Sequence, residues 1–316
     1  MTGPPPVLLA SNSISGRPRL AGTFWMGAGN RAGRVVGRLP GGGWRRAEQG
    51  PEGPLLLEVR PTETTIELQV WGPVGTPPDV AAQALVDTRR WAGLEDDLTG
   101  FAEALGPHPI LRRVLRQLGP PIIGALPRVA ESFGRAVLGQ LVQGQEATRS
   151  AAQLVAMLGT ATPQGVWAYP TRQALGAAQA HQLRRCGIAL RSAGALHRFA
   201  VDEPALQQLG AGRAWEGLDS RLRRLPGVGV WTSAETRLYL GDADAISYGD
   251  YHLPHIVGWA IGERTETDEA MGELLAPFTP HRGRVIKLLE GAARRGLVDA
   301  KPRRAARAAL SAHRYW

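Results

Sequence analysis

The spacing of apolar and polar residues changes about a third of the way along the chain. In the first third, short β-favouring runs at 55–59 and 65–71 alternate apolar and polar residues or nearly do so, which is typical of half-buried strands. The turn-forming residues between the two runs favour a hairpin. Residues 80–91 have helical spacing and are expected to cover one face of the sheet. We therefore predict a small α+β domain over residues 16–106, preceded by a disordered N-terminus at 1–15.

In the rest of the chain, apolar residues recur with helical spacing and the connections between them are short. This pattern indicates an all-α body over residues 107–300, followed by a basic C-terminal helix or tail over 301–316. The chain as a whole is therefore predicted to be of the α+β class, with a small antiparallel sheet and helices before the helical body. The expected helices lie at 110–118, in one long or broken stretch at 129–158, and at 172–179, 181–186, 191–200, 203–209, 253–261, 268–275 and 281–295.

The composition narrows the range of partners and cofactors. The 316 residues carry a formal net charge of +9, which favours a polyanionic partner such as nucleic acid. Cys186 is the one cysteine, so an internal disulfide, a cysteine-ligated zinc site and a four-cysteine iron–sulfur cluster are excluded. The seven histidines are scattered without metal-ligand spacing, and no apolar run has the length of a membrane span. We expect no metal, no membrane contact and a cytoplasmic location.

The strongest chemical signal is a glycine-rich stretch that ends in an acidic residue, at 222–250. Its LPGVG sequence and the WTSA sequence that follows predict a tight hairpin that opens a helix. Backbone amides at such a turn point outward with partial positive charge, so they suit a phosphate of a nucleic-acid backbone. Asp250 follows Gly229 by 21 residues (250 minus 229), so we expect its carboxylate to face the bound strand. The predicted DNA-binding residues of the hairpin are Leu225, Pro226, Gly227, Val228, Gly229 and Thr232.

The order of these motifs resembles that of a known enzyme superfamily. The LPGVG hairpin, the WTSA sequence and the spaced aspartate are similar to the signature of the helix-hairpin-helix DNA glycosylases. The VLGQLV and LRRCGI sequences at 137–142 and 183–188 bring the resemblance closest to bacterial 3-methyladenine DNA glycosylase II, over residues 107–291 or so. The resemblance implies a helix-hairpin-helix body after a sheet with helices. It also implies a monomer that binds double-stranded DNA containing damaged bases and associates with the nucleoid when engaged.

An enzyme that acts on a base inside a duplex must turn the nucleotide out and fill the gap in the stack. Leu141 matches the family position that enters the duplex, and an apolar side chain there suits unstacking. Gln140 and Gln143 would be unusual so close to a dry core and are expected to meet DNA as well. The alternative, that Leu141 is a core residue of an amphipathic helix, stays open.

Asp250 is the candidate catalytic residue. Breaking an N-glycosidic bond develops positive charge on the sugar, so a fixed carboxylate beside C1′ lowers the barrier and helps water to attack. The alternative role of Asp250 is to cap the helix that begins near Tyr251. The two roles are compatible, because a helix N-terminus keeps a carboxylate ionised.

The resemblance assigns four residues to a pocket for the flipped base. Trp231 and Tyr251 match family pocket positions and would stack on an electron-poor alkylated base, although a core role is the alternative for each. Glu235 and His281 stand where the closest relatives have a tyrosine and a tryptophan. Glu235 would attract a cationic base if it faces the pocket. The alternative is that its side chain faces solvent. These two departures leave the range of lesions open.

Members of the superfamily differ in whether they have a lysine that attacks the sugar and thereby permits strand cleavage. This chain has Trp231 at the corresponding position, and neither Lys287 nor Lys301 lies near the hairpin in the sequence. We therefore expect a monofunctional glycosylase of base excision repair that hydrolyses the bond to an alkylated purine of the 3-methyladenine or 7-methylguanine type. No lyase activity and no cofactor are expected, although the resemblance allows a monovalent cation on backbone carbonyls of the hairpin. The alternatives are a glycosylase for a deaminated base or bulky adduct, and a non-catalytic lesion-binding protein.

Overall fold

The structure, a computed structural model, describes residues 5–15, 34–140, 144–262, 264 and 266–300. This part of the chain forms a mostly antiparallel sheet and thirteen α-helices. The predicted α+β class is therefore confirmed. The strands are β1 (Val7–Ser15), β2 (Val36–Arg38), β3 (Trp44–Glu48), β4 (Leu55–Pro61), β5 (Thr65–Gly72), β6 (Thr160–Ala161) and β7 (Trp167–Ala168).

The sheet has the strand order β1-β5-β4-β3-β7-β6, and β2 pairs with β3 beside this path. β4 and β5 form the predicted antiparallel hairpin, in which Leu56 lies opposite Trp71. Every second residue of β5 is buried, as the two-residue period of a half-buried strand requires. Helix α1 (Pro78–Trp91) packs on the sheet as predicted. β6 and β7 come from the helical part of the chain, and β7 runs parallel to β3, so the sheet and the helical part are joined.

The prediction of a disordered N-terminus is wrong for strand β1. Val7–Ser15 pairs with β5 in antiparallel register, with Val7 opposite Gly72 and Ser15 opposite Thr65. Most residues of β1 are exposed, because it is the edge strand of the sheet. Its backbone hydrogen bonds come from a partner far along the chain, so the local pattern of apolar residues carries little sign of the strand.

Helices form most of the remaining described chain. The two short helices predicted at 191–200 and 203–209 are one helix that continues through Pro204. Phe199 and Leu206 on either side of the proline are buried in the core, and this packing offsets the hydrogen bond lost at Pro204. The helices after α1 are α2 (Phe101–Ala104), α3 (Pro109–Leu118), α4 (Val129–Leu138), α5 (Gly144–Leu158), α6 (Arg172–Ala177), α7 (Ala180–Arg185), α8 (Leu190–Ala211), α9 (Trp215–Leu222), α10 (Val230–Tyr239), α11 (Leu253–Ile261), α12 (Asp268–Leu275) and α13 (Arg282–Arg294).

Two large hydrophobic cores flank the glycine-rich hairpin. The first contains residues of the sheet and of α4, α5 and α8, including a stack of Phe133 on Phe199 with ring centroids 4.3 Å apart. The second contains residues of α3, α11, α12 and α13, such as Val257 and Leu289. A small cluster that includes Ala234 of α10 lies apart from both. These clusters hold helix α10 and the loop after it in place. No helix among the described residues is long and apolar enough to span a membrane.

Candidate functional site

The glycine-rich stretch forms the predicted hairpin between α9 and α10. The amide of Val228 donates to the carbonyl of Leu225 at 3.0 Å, and Gly227 has a φ of +90°, which favours glycine. Leu225 and Val228 are buried and anchor the turn, so they are available to DNA only through their backbones. Pro226 and Gly229 are exposed, and Gly229 caps the N-terminus of α10. The turn therefore presents backbone amides and the positive end of a helix at the surface.

Gln140 ties the end of α4 to this hairpin. Its Nε2 donates to the carbonyl of Gly227 at 3.0 Å and to Oγ1 of Thr232 at 2.7 Å. The side chain predicted to meet DNA thus also fixes the turn, and Thr232 is buried beneath it. Leu141 and Gln143, the other two residues of the predicted duplex wedge, lie outside the described residues.

Exposed arginines of α8 border the hairpin, and the sequence analysis gave them no role. The guanidinium of Arg198 donates to the carbonyl of Pro226 at 3.2 Å. The Cγ and Nε atoms of Arg191 approach Gly227, each 3.7 Å from the place where a side chain would begin. The seven-residue spacing of Arg191 and Arg198 places them on one face of a helix, and this spacing was the available signal. Positive charge therefore borders the amides that suit a phosphate.

Asp250 lies in the loop between α10 and α11, where neutral groups hold its carboxylate. Its Oδ1 accepts from the amides of His252 at 2.8 Å and Leu253 at 3.0 Å, so it caps α11. Its Oδ2 accepts from Nε1 of Trp231 at 3.0 Å. Asp250 forms no ion pair with any of the described residues. Its charge is therefore oriented by three donors and neutralised by none of them.

Two aromatic side chains flank this carboxylate. Trp231 is half-buried, and a Cβ atom at Gly139 would lie 3.1 Å from its Cη2, so the glycine of the VLGQ sequence leaves room for the indole. Tyr251 is 60% exposed, with its ring edge-to-face with His252 at 5.0 Å. A carboxylate, an indole and an accessible phenol ring therefore lie together after the hairpin, as the sequence motifs predict for Asp250, Trp231 and Tyr251.

Known proteins share this architecture. No family model matches the chain. Two curated relatives, each named "Probable bifunctional transcriptional activator/DNA repair enzyme AlkA" and from strains of Mycobacterium tuberculosis, are 32% identical over 170 residues, or 52% of this chain and 34% of theirs. The chain thus spans about a third of their length. The solved 3-methyladenine DNA-glycosylase from Archaeoglobus fulgidus aligns with a TM-score of 0.74 at 19% identity, over 90% of this chain and 98% of that one. The chain has the fold of the helix-hairpin-helix DNA glycosylases.

The resemblance inferred from the sequence is thereby confirmed. An 8-oxoguanine glycosylase/lyase of Clostridium acetobutylicum, solved with double-stranded DNA, also aligns, with a TM-score of 0.60 and 12% identity over 83% of this chain and 89% of that one. The glycosylase fold is therefore shared by enzymes that are named for different lesions and different activities.

Within this glycosylase fold, Glu235 lies one helical turn after Trp231 on α10. Its Oε1 accepts from the hydroxyl of Ser247 at 2.5 Å. Burial raises the pKa of Glu235, the charge of Lys287 opposes this rise, and the charges of Glu290 and Asp250 add to it. The assignment of Glu235 to a base pocket stays a prediction.

Lys287, which is far from the hairpin in the sequence, acts electrostatically on Glu235 of α10 in the folded chain. It is buried on α13, its Nζ pairs with Oε2 of Glu290 at 2.8 Å, and its charge acts on Glu235. Burial alone would lower the pKa of Lys287, but Glu290 and Glu235 outweigh burial and raise it. The amine is therefore held in its protonated form.

His281 corrects the pocket prediction, because its ring is buried against the segment before α3. Its Nε2 lies 3.0 Å from the carbonyl of Thr99, and its Nδ1 accepts from Nε of Arg284 at 3.4 Å. The ring packs edge-to-face on Phe101 with centroids 5.4 Å apart, and the residue is 4% exposed. His281 borders the larger of the two cavities near α10 and not the one beside Asp250. A tertiary contact with Thr99, far away in the sequence, decides this orientation.

Two cavities border α10 and the loop that follows it. The larger, of about 960 Å³, is lined by acidic and basic residues that largely pair with one another, such as Arg282 with Asp244 and Arg237 with Asp242. The smaller, of about 270 Å³, opens beside Asp250 and Tyr251. The smaller cavity is the one that reaches the unneutralised carboxylate. No cluster of three or more histidine, cysteine or acidic residues in the described chain could hold a metal.

Proposed function

We propose that the protein is a monofunctional DNA glycosylase that turns an alkylated purine out of double-stranded DNA and hydrolyses its glycosidic bond. The observation that carries the proposal is the carboxylate of Asp250, which three neutral donors orient and no cation neutralises in the described chain. It lies after a hairpin that presents amides and arginines to a phosphate. The similarity to the curated DNA repair relatives supports the same reading.

Asp250 acts electrostatically in this mechanism. The bond between C1′ and the base nitrogen breaks, the base leaves with the electron pair, and the sugar becomes cationic. The carboxylate stabilises that cation, and a water oxygen then bonds to C1′ and releases a proton. A base that is alkylated at N3 or N7 is itself cationic, so it leaves more readily than a normal base. Trp231 and Tyr251 provide faces on which such a base stacks.

Hydrolysis is favoured over strand cleavage by the state of Lys287, the lysine that the structure describes. A lyase requires an unprotonated amine that attacks C1′. Lys287 is buried, pairs with Glu290 and has a raised pKa, so it is a poor nucleophile. By the resemblance, Trp231 occupies the position at which other members of the superfamily have their nucleophilic lysine. We therefore propose that water, and no amine of this chain, attacks the sugar.

The proposed mechanism uses no cofactor. A monovalent cation on the hairpin carbonyls fits the surroundings poorly, because Arg198 already brings a positive charge to the carbonyl of Pro226. The carbonyl of Gly227 likewise accepts from Gln140. We derive no step through such an ion.

The test is the release of free bases from alkylated duplex DNA. The protein is incubated with the duplex, free bases are separated by chromatography, and strand breaks are counted before and after alkali. We expect free 3-methyladenine or 7-methylguanine, with breaks only after alkali. Breaks without alkali would overturn the monofunctional assignment. Absence of free base, with binding to abasic DNA intact, would overturn the alkylpurine assignment and favour another lesion or a binding role.

A further inference from the structure

The side chain of Glu235 is fixed by a contact with the loop that carries Asp250. Trp231 and Glu235 are four residues apart and share one face of α10. Trp231 donates to Asp250, whereas Glu235 accepts from Ser247, three residues before Asp250. The amide of Asp250 in turn donates to the carbonyl of Ser247 at 3.3 Å. Glu235 is thus oriented by the same loop that carries the carboxylate proposed for catalysis.

The contact with Ser247 uses one oxygen of the Glu235 carboxylate. Its Oε1 accepts from the Ser247 hydroxyl, whereas Oε2 has no hydrogen-bond partner among the described residues. A half-buried carboxylate with one oxygen fixed and the other without a partner in the described chain is prepared to accept a hydrogen bond from a ligand.

The charges around Glu235 favour a cationic ligand. The groups whose charges act on it are Lys287, Glu290 and Asp250. Two of these groups are carboxylates and one is an ammonium group, and Lys287 makes its ion pair with Glu290 rather than with Glu235. Tyr239 of the same helix adds no positive charge. The excess of negative charge around a partly buried group stabilises a neighbouring cation more than it would in water.

We propose that Glu235 is a specificity-determining residue whose carboxylate selects positively charged N-alkylpurines over neutral lesions. The inference rests on the proposed glycosylase function and adds a reason for its substrate class. Asp250 stabilises the sugar cation in the transition state for every substrate. Glu235 instead interacts with positive charge on the base, which purines alkylated at N3 or N7 carry. A neutral lesion would gain nothing from it.

A purely structural role predicts a different pattern of substrate losses. If Glu235 only positions the loop through Ser247, its loss slows release of every base alike. Ser247→Ala removes the tether and keeps the carboxylate, so it measures that effect alone. Glu235→Gln keeps the shape and the contact with Ser247 but removes the charge, and Glu235→Asp keeps the charge with a shorter side chain.

The experiment measures single-turnover release of cationic 7-methylguanine and of neutral hypoxanthine and ethenoadenine from matched duplexes. We expect Glu235→Gln to slow release of 7-methylguanine roughly tenfold relative to the neutral bases, whereas Ser247→Ala leaves that ratio unchanged. If the unmodified protein releases only the cationic base, Glu235→Gln must slow it more than Ser247→Ala, and Glu235→Asp must recover part of the rate. Urea unfolding midpoints confirm that each variant is folded.

The outcomes separate this proposal from the proposed function. Equal losses on cationic and neutral bases in Glu235→Gln, or equal losses of 7-methylguanine release in Glu235→Gln and Ser247→Ala, would overturn the selection role and leave the glycosylase assignment intact. No release of any base by the unmodified protein would overturn the assignment itself, and the role of Glu235 with it.

Discussion

Two aspartates in loops, Asp96 and Asp250, have opposite electrostatic surroundings. The carboxylate of Asp96 accepts from both terminal nitrogens of Arg284, at 2.5 and 2.7 Å, and from the amide of Ile123 at 2.8 Å. Both charged side chains of this pair are almost fully buried. Asp250 also accepts three hydrogen bonds, but all of its donors are neutral. The charge of Asp96 is neutralised by a neighbouring cation, whereas the charge of Asp250 is not.

The comparison shows what distinguishes a carboxylate that holds the fold from one that is available for chemistry. Asp96 joins the segment after α1 to α13, and its field is cancelled by Arg284. Hydrogen bonds to Asp250 orient its charge but leave the field free to act on a cationic sugar. Residue type and the number of accepted hydrogen bonds do not separate the two roles. The charge of the hydrogen-bond donors does.

The largest expected effect on stability is at the buried ion pair of Asp96 and Arg284. Asp96→Ala leaves the guanidinium of Arg284 buried without its partner, and we expect it to lower the free energy of unfolding by about 3–5 kcal/mol. The matched change Asp250→Ala removes a helix cap and should cost about 1 kcal/mol. Urea unfolding followed by circular dichroism measures both. Equal losses in the free energy of unfolding would show that the two carboxylates are held alike. That result would contradict the contrast drawn between them.

Removal of one neutral donor should reduce activity and leave the fold almost unchanged. Trp231→Phe keeps an aromatic face but loses the Nε1–H that donates to Asp250. We expect single-turnover base release to slow roughly tenfold, which corresponds to a hydrogen bond to a charged group. The contrary result, an unchanged rate, would mean that the indole does not orient the carboxylate. The unfolding midpoint serves as the control for structure.

Loosening the hairpin should weaken DNA binding by a smaller factor. Gln140→Ala removes both hydrogen bonds to the turn, and we expect the affinity for an abasic duplex to fall by about threefold to tenfold. Gln49 is a matched control, because its amide also bridges two groups, Thr160 and Tyr169, in another part of the fold. Fluorescence anisotropy should detect a loss for Gln140→Ala and none for Gln49→Ala. Equal affinities of the two variants would remove the support role of Gln140.

The smallest effect concerns the pH dependence of stability at Glu235. Burial raises its pKa above the ordinary value of 4.5, so the folded protein binds this proton more tightly than the unfolded chain does. Its stabilising contribution is complete below pH 4.5 and is lost as the pH rises through the raised pKa. Relative to Glu235→Gln, the unmodified protein should therefore lose stability as the pH rises across this window. Unfolding curves at a series of pH values test it, and a constant difference would contradict it.

Elements whose signal is local could be predicted from the sequence. The alternation of buried and partly exposed residues in β5 reflects its own period, and the predicted hairpin of β4 and β5 is present. Strand β1 depends on hydrogen bonds from β5, and its exposed residues give no period. Strand β3 contains Arg46, whose charge is satisfied by Glu131 of α4 in the folded chain. No local pattern indicates a buried arginine in a strand.

The same limit applies to the candidate site. The hairpin glycines and Asp250 could be found because the motif fixes their spacing along the chain. His281 matches a pocket position by alignment, but its contact with Thr99 turns the ring into the interior. Lys287 is far from the hairpin in the sequence, yet its charge acts on Glu235 of α10 in the folded chain. Both placements depend on contacts between distant segments.

The most direct test of the account is base release by Asp250→Asn beside the unmodified protein. Single-turnover release of 7-methylguanine from an alkylated duplex isolates the chemical step, and binding to an abasic duplex reports whether the site is intact. We expect release to slow roughly 10³-fold with DNA affinity almost unchanged, because the amide keeps the shape and loses the charge. Release at the unmodified rate would contradict the catalytic role of Asp250.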